Sequence, residues 1–221
     1  MNADKTRFAV LMDAGAVFFA VRDLYEGLQL EYPKLADLLC QRALIHPPDP
    51  RRRNDESAVW AMWTSFHPQN TGQAKFIDYA EQSLGWIVRR FPPSESYILD
   101  PQGVLSVTAA EGRGNRMTNR LVRFDASIAY TIGRIAATHQ IILVTDSFTL
   151  AEPLIRAARL RKGSNTIAFF GRLLDPRWQP VIRNAPHAMV KFVDFDEFDG
   201  ILFGTKKPTM KQTWEEDFPV G

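Results

Sequence analysis

Short apolar runs alternate with amphipathic segments along most of the chain. The first run covers residues 8–12 and ends at Asp13. After it, Val17, Val21 and Leu24 recur at helical spacing. A strand followed by a helix appears several more times, and strands that alternate with helices favour a parallel sheet covered on both faces.

The same pattern predicts the elements and the fold class. Strands are predicted over residues 8–12, 57–66, 86–91, 140–145, 166–170 and 188–193. Helices are predicted over residues 14–28, 32–45, 70–84, 125–137 and 149–161. Residues 92–119 are rich in proline, glycine and polar side chains, which predicts a loop with a small hairpin within residues 97–107. The predicted fold is α/β, a Rossmann-like three-layer sandwich with a mainly parallel central sheet.

Length and composition favour one folded unit. The chain has 221 residues, of which 45% are hydrophobic, and chains of up to roughly 250 residues often form a single domain. Residues 1–204 are therefore expected to form the domain, and residues 205–221 a polar C-terminal tail.

Charge and cysteine content limit the classes of partner. Lys and Arg number 27 against 25 Asp and Glu, for a net charge of +2, so any polyanion site must be a local patch. The single cysteine, Cys40, excludes an internal disulfide and a zinc site built on paired thiolates. No apolar run approaches the roughly 20 residues needed to cross a bilayer. These features predict a soluble, cytoplasmic protein that does not engage a membrane.

Three aspartates are candidates for a shared site. Asp13 and Asp146 follow predicted strands, and Asp125 begins a predicted helix. Ligands of open parallel sheets bind beyond the carboxyl ends of the strands. Carboxylates that crowd together repel unless a proton or a cation neutralises them, which points to Mg²⁺ or Mn²⁺. The alternative for each aspartate is that it only caps the next helix.

The order of these elements resembles the NYN family of PIN-like ribonucleases over residues 8–198. The stretches that carry the resemblance are LMDAGAVF (11–18), TSFHPQNTGQAKFIDYAEQSLGW (64–86), RFDASIAYTIGRIA (123–136) and IILVTDSFTLAEPLIRAARLRKGSNTIAFFG (141–171). The resemblance implies a PIN-like fold and a metal-dependent ribonuclease that hydrolyses phosphodiester bonds. It implies that Asp13, Asp125 and Asp146 are the catalytic metal ligands, with Mg²⁺ or Mn²⁺ as cofactor.

The chain departs from the family pattern at three positions. Ala16 stands where the family usually has Asn, Thr131 where it has a further Asp, and Phe148 where its last motif has a second acid. Fewer charged ligands bind a cation more weakly, so the alternative is a weakened pseudo-nuclease that binds RNA or a protein. Candidate replacement oxygens are those of Ser127, Thr145, Ser147 and Glu152.

Four arginines precede Asp125: Arg113, Arg116, Arg120 and Arg123. Guanidinium groups bind phosphate oxygens well, so these residues are predicted to contact nucleic acid beside the acidic pocket. The alternative is a solvated loop. The expected partner is RNA, single-stranded or structured, and the sequence leaves a homo-oligomer or a protein partner open.

Two other functions fit the sequence less well. Asp13 ends a first strand, as the nucleophile of an aspartyl-phosphate enzyme does, but Gly15 replaces the second Asp expected of haloacid dehalogenase-like phosphatases. A dinucleotide site requires a glycine-rich turn after the first strand, and Gly15 stands alone there.

Overall fold

A computed structural model describes the protein over residues 7–25, 28–43, 58–65, 71–91, 97–99, 105–107, 116–161, 163–184 and 189–204. The strands are β1 Arg7–Asp13, β2 Ala58–Ser65, β3 Ile87–Phe91, β4 Tyr97–Leu99, β5 Leu105–Val107, β6 His139–Val144, β7 Asn165–Phe169 and β8 Val190–Asp194. The α-helices are α1 Ala14–Leu24, α2 Tyr32–Ala43, α3 Thr71–Gln82, α4 Arg116–Ile135, α5 Ala151–Arg161, α6 Trp178–Asn184 and α7 Asp199–Leu202. Short 3₁₀ turns cover Phe148–Leu150, Gly171–Leu173 and Phe195–Phe198.

The main sheet has six strands in the order β3-β2-β1-β6-β7-β8, and all of its pairings are parallel. The predicted α/β class with a parallel sheet is therefore confirmed. Strands β4 and β5 form a separate antiparallel pair, which confirms the predicted hairpin. The predicted C-terminal tail, residues 205–221, lies outside the described residues.

Helices cover both faces of the sheet, because alternate strand residues point to opposite sides. Val10 and Met12 of β1 belong to one buried cluster with residues of α1, α2, α3 and α7, here called the first layer. Ala9 and Leu11 belong to a second cluster with residues of α4, α5 and α6, here called the second layer. The structure is thus a three-layer sandwich with a core on each face.

Helix α4 differs from its prediction. It begins at Arg116 and runs for 20 residues, whereas the sequence predicts a loop up to residue 119 and a helix start at Asp125. An apolar repeat at Met117, Leu121, Phe124 and Ile128 has helical spacing and signals the earlier start.

Helix α3 ends as predicted. Gly85 has a φ of 70°, in the left-handed region that glycine enters without a steric penalty. Trp86 follows and its ring stacks on Trp60 of β2 with ring centroids 5.6 Å apart. The turn therefore leads the chain directly from α3 into β3. In the described part of the chain, no helix is both long and apolar enough to span a membrane.

Candidate functional site

The order in which the chain adds strands to the sheet reverses between β1 and β6. Strand β1 pairs with β2 on one side and with β6, much later in the chain, on the other. In open α/β sheets such a switch point leaves a crevice at the carboxyl ends of the strands, where ligands bind. Met12 of β1 is in register with Val144 of β6. Asp13 and the residues from Thr145 onward therefore lie at this crevice.

Asp13 is fully buried and caps α1. Its Oδ1 accepts a hydrogen bond from the backbone N–H of Ala16 at 3.1 Å, and its Oδ2 is also shielded from solvent. Asp13 comes two residues after Leu11, so the strand alternation places it on the side of the second layer. Asp13 therefore caps α1, a role to which Asp is among the residues best suited, and its role as a metal ligand stays a prediction.

Asp125 lies in the middle of α4, nine residues after the helix start, and so does not open the helix as predicted. Its side chain is 6% exposed. The Oδ2 atom accepts hydrogen bonds from Ser147 Oγ at 2.5 Å and from Thr149 Oγ1. Ser147 and Thr149 follow β6, so these bonds hold α4 against the carboxyl edge of the sheet.

The turn after β6 is itself ordered by hydroxyl groups. The Ser147 N–H donates to Thr145 Oγ1 at 3.1 Å, and the hydroxyls of Ser147 and Thr149 lie 2.9 Å apart. Thr145 and Ser147 are 1% and 3% exposed. Thr145 and Ser147, two of the predicted replacement residues, are therefore part of the hydrogen-bond network around Asp125, and their role as replacement ligands stays a prediction. Thr149 was missed, although it is a hydroxyl residue only three positions after Asp146.

Asp146 lies next to α1. It is half-buried and lines a small pocket together with Ala16, Val17 and Ala20 of α1. Thr145 and Phe169, the latter a residue of the second layer, line the same pocket. Asp146 therefore lies at the same carboxyl edge of the sheet as Asp13.

The remaining positions singled out by the family pattern have structural contacts. Thr131 Oγ1 bonds to the Ser127 carbonyl at 2.9 Å, and Phe148 packs edge-on against Trp178 with centroids 5.4 Å apart. The Ser127 hydroxyl accepts a bond from Trp63 Nε1 at 2.9 Å. Glu152 is exposed and pairs with Arg156. Neither Ser127 nor Glu152 contacts the aspartates through these bonds.

Within the described ranges, no group of three or more His, Cys, Asp or Glu side chains is arranged to hold a metal ion. The oxygens around Asp125 are of the type that Mg²⁺ prefers, but Asp125 Oδ2 is already bonded to two hydroxyl groups. A Mg²⁺ or Mn²⁺ centre on Asp13, Asp125 and Asp146 therefore stays a prediction.

Three of the four arginines before Asp125 lie on a helix rather than in a loop. Arg116, Arg120 and Arg123 occupy the first eight residues of α4, and Arg113 lies outside the described residues. A spacing of four and three residues places these positions on one face of the helix. Because Asp125 bonds to the turn after β6, we infer that the preceding nine residues of α4, about 14 Å at 1.5 Å per residue, project from the carboxyl edge of the sheet.

Comparisons with known proteins support the fold. The chain is similar to the crystal structure of a protein of unknown function from Vibrio parahaemolyticus, with a TM-score of 0.58 and 16% sequence identity. The match covers 92% of this chain and 99% of the Vibrio chain. No protein-family model matches the sequence, and no curated protein matches it.

Proposed function

We propose that this chain is a PIN-like nucleic-acid-binding module that holds single-stranded RNA at the carboxyl edge of its sheet. The observation that carries the proposal is the arginine-bearing start of α4, which extends past the edge beside the switch point. RNA as the partner comes from the resemblance to the NYN family, and the position of the crevice comes from the topology.

The placement of these arginines is unfavourable for the helix itself. The N-terminal end of a helix carries a partial positive charge, so acidic residues stabilise it and cations do not. The first turn of α4 holds no acidic residue and begins with Arg116. A bound phosphate backbone would supply the missing negative charge. The stability of the helix alone therefore does not explain why arginines occupy the start of α4.

The contacts of the aspartates favour binding over cleavage. Asp13 caps α1 through Oδ1, Asp125 accepts two hydroxyl hydrogen bonds on one oxygen, and Asp146 lines a cavity toward α1. A catalytic carboxylate must direct an oxygen at the reacting atoms or at an ion that touches them. Asp13 and Asp125 each use one oxygen for a structural hydrogen bond, which supports the binding proposal.

The proposal is tested by fluorescence anisotropy with a labelled single-stranded RNA, together with gel analysis of the same RNA in Mg²⁺ and in Mn²⁺. We expect salt-sensitive binding without cleavage. The double variant R116Q/R120Q should bind more weakly, whereas R156Q, which removes an exposed arginine from α5, should bind as the wild type does. Absence of binding by the wild type at low salt would refute the proposal.

A metal-dependent ribonuclease is the second candidate, favoured by the burial of two carboxylates on the same side of the switch point. Asp13 is 0% and Asp125 is 6% exposed, and buried carboxylates at one sheet edge are suitable ligands for a divalent cation. This candidate predicts RNA cleavage that EDTA abolishes and that D13N eliminates. The control is D23N, which changes an exposed aspartate of α1. Cleavage with that dependence would replace the binding-only proposal.

A cytoplasmic location completes the proposal. The single thiol, Cys40, is buried, and burial together with the nearby charge of Asp37 raises its pKa to about 12. A thiol of this kind stays protonated and unreactive. It serves as a core side chain, which is compatible with a reducing compartment.

A further inference from the structure

We infer that single-stranded RNA continues from the sheet edge along one side of α4, with Tyr130 as a base-stacking residue. This surface, here called the arginine–tyrosine face, consists of Ser127, Tyr130 and Arg134 of α4 and Arg89 of β3, and the position of Arg123 continues it along the helix. The inference rests on the proposed function and adds a second contact region to it.

The α4 members share one side of the helix. Arg123, Ser127, Tyr130 and Arg134 follow one another at steps of four, three and four residues, the spacing that keeps positions on one face. The positions of Arg116 and Arg120 continue this line toward the start of the helix. It therefore leads from the projecting start of the helix down the flank of the sheet.

Tyr130 and Arg134 are available to a ligand. Tyr130 is 68% exposed, although large aromatic rings are usually buried. Arg134 is also exposed, and its guanidinium carbon lies 6.0 Å from the Tyr130 ring centroid. An exposed ring beside a cation is the combination with which single-strand binders hold successive nucleotides.

Arg89 lies on the same side of the sheet as α4. Along β3, Arg90 pairs with Glu81 of α3 in the first layer, and Phe91 packs against Phe124 of α4. Strand alternation therefore places Arg89 with Phe91 on the second-layer side. Arg89 is also in register with Trp63, whose indole bonds to Ser127 of the face.

The charge of this face is uniform. Among the 20 residues of α4 there are four arginines and one acid, Asp125, and Asp125 is buried against Ser147 and Thr149. Several exposed arginines elsewhere pair with acids, as Arg156 does with Glu152 and Arg177 with Asp175. A row of arginine positions whose helix carries only one acid, and that acid buried, complements a phosphate backbone.

The length of the helix suits a strand of several nucleotides. Twenty residues at 1.5 Å each span about 30 Å, and single-strand sites extend over roughly 4–16 nucleotides in one common fold that binds them. Arginines contact the phosphates, and Tyr130 offers its ring to one base. The face requires unpaired bases, because a duplex keeps its bases stacked on one another.

The test measures anisotropy with a single-stranded RNA of about 16 nucleotides, the upper end of such site sizes, and with a duplex RNA of equal length. Y130A should weaken single-strand binding by at least about fivefold, the lower limit for losing one stacked base. Y130F keeps the ring and should bind as the wild type does. Y79A, which removes an exposed tyrosine from α3 in the opposite layer, should also bind normally.

The outcomes separate this inference from the proposed function. If the wild type binds single strands and Y130A binds them equally well, the arginine–tyrosine face is refuted and the edge site stands. If Y130A weakens duplex binding as much as single-strand binding, stacking on Tyr130 is refuted. If the wild type binds no RNA, both proposals fail. Thermal melting of Y130A, expected to match the wild type, confirms that the variant is folded.

Discussion

Ser147 and Asp125 are 22 residues apart in sequence and are joined by a 2.5 Å hydrogen bond between the serine hydroxyl and the carboxylate. The bond connects the turn after β6 to the middle of α4, and both residues are buried. The position of the projecting half of α4 over the sheet edge therefore depends on this contact.

We expect S147A to destabilise the protein by about 1.5–3 kcal/mol, the range for a hydrogen bond to a charged group. The variant removes a donor to Asp125 and leaves the helix with Thr149 as its remaining hydroxyl contact there. Urea denaturation measures the change. T138A, which removes an exposed hydroxyl after α4, is the control and should change little. Equal stability of both variants and the wild type would show that the Ser147 bond is not formed in solution.

The capping role of Asp13 predicts a contrast between two substitutions. D13A loses the bond to the Ala16 N–H and should cost about 0.5–2 kcal/mol, whereas Asn caps helices as well as Asp does. D13N should therefore keep most of the stability. Thermal or urea unfolding of the two variants measures the difference. A D13N variant as unstable as D13A would mean that the negative charge, rather than the cap, is what the fold requires.

Two glycines should respond in opposite ways to alanine. Gly133 lies within α4, and no atom comes within 4 Å of the place that an alanine methyl group would occupy there. G133A should therefore stabilise the protein by roughly 0.5–1 kcal/mol through helix propensity. At Gly171, by contrast, an added methyl group would overlap the Oδ2 atom of Asp194.

Asp194 cannot easily move away from that methyl group. Its Oδ1 accepts the N–H groups of Gly171 and Asp196, each at 2.9 Å. G171A should therefore displace the carboxylate and destabilise the protein by about 1–3 kcal/mol, the cost of leaving buried donors unpaired. Both variants are compared with the wild type by urea denaturation. A stabilising G171A would contradict the packing described for this turn.

Tyr25 predicts a loss of stability at high pH. Burial, with a hydrogen bond from its hydroxyl to Asp196 at 2.7 Å, raises the pKa of Tyr25 to about 12. An unfolded tyrosine titrates near 10. The stability that protonated Tyr25 contributes to the fold is therefore complete below about pH 10 and is lost as the pH rises toward 12. The nearby cation of Arg172 limits the rise of this pKa.

The variant Y25F should have a shallower decline of stability between pH 10 and 12, measured by urea denaturation at fixed ionic strength. Burial also raises the pKa of Tyr32, so part of the decline should persist in Y25F. A pH dependence identical to that of the wild type would show that Tyr25 titrates normally in the folded protein.

The arginines at the start of α4 predict a specific salt dependence of RNA binding. Each phosphate contact with a single strand contributes about 0.7 to the slope of log affinity against log salt. R116Q/R120Q should therefore reduce the slope by roughly 1.4 if both residues contact phosphates. R89Q tests the arginine–tyrosine face in the same way and should reduce it by about 0.7. An unchanged slope would exclude these residues from the interface.

Most helices and strands of the fold are predictable from the sequence, because each contains enough apolar residues for their spacing to indicate a helix or a strand. The strand ending at Asp13 and the hairpin after residue 92 are predicted correctly. The predicted start of α4 is too late, since polar Thr118 and Asn119 suggest a loop although the apolar repeat is already present. Helix α6 is missed because it has seven residues and contains Pro180.

The candidate site is less predictable than the fold. Sequence order places Asp13 and Asp146 at the same edge, but it does not reveal which face of the sheet each takes. That depends on how the chain leaves β6, where Thr145 and Ser147 bond to each other. The hydroxyl partners of Asp125 come from another element and carry no sequence signal beyond their polarity. Contacts of this kind are set by tertiary packing.

The position of Thr145 at the end of β6 has an evolutionary consequence. Thr145 follows Val144, the register partner of Met12, so it is the neighbour of Asp13 across the two strands. An acid at this position would lie directly after β6, beside Asp13 at the carboxyl edge of the sheet. A single T145D exchange would bring another carboxylate toward Asp13. The number of carboxylates at this edge can thus change through the identity of one residue, without a new architecture.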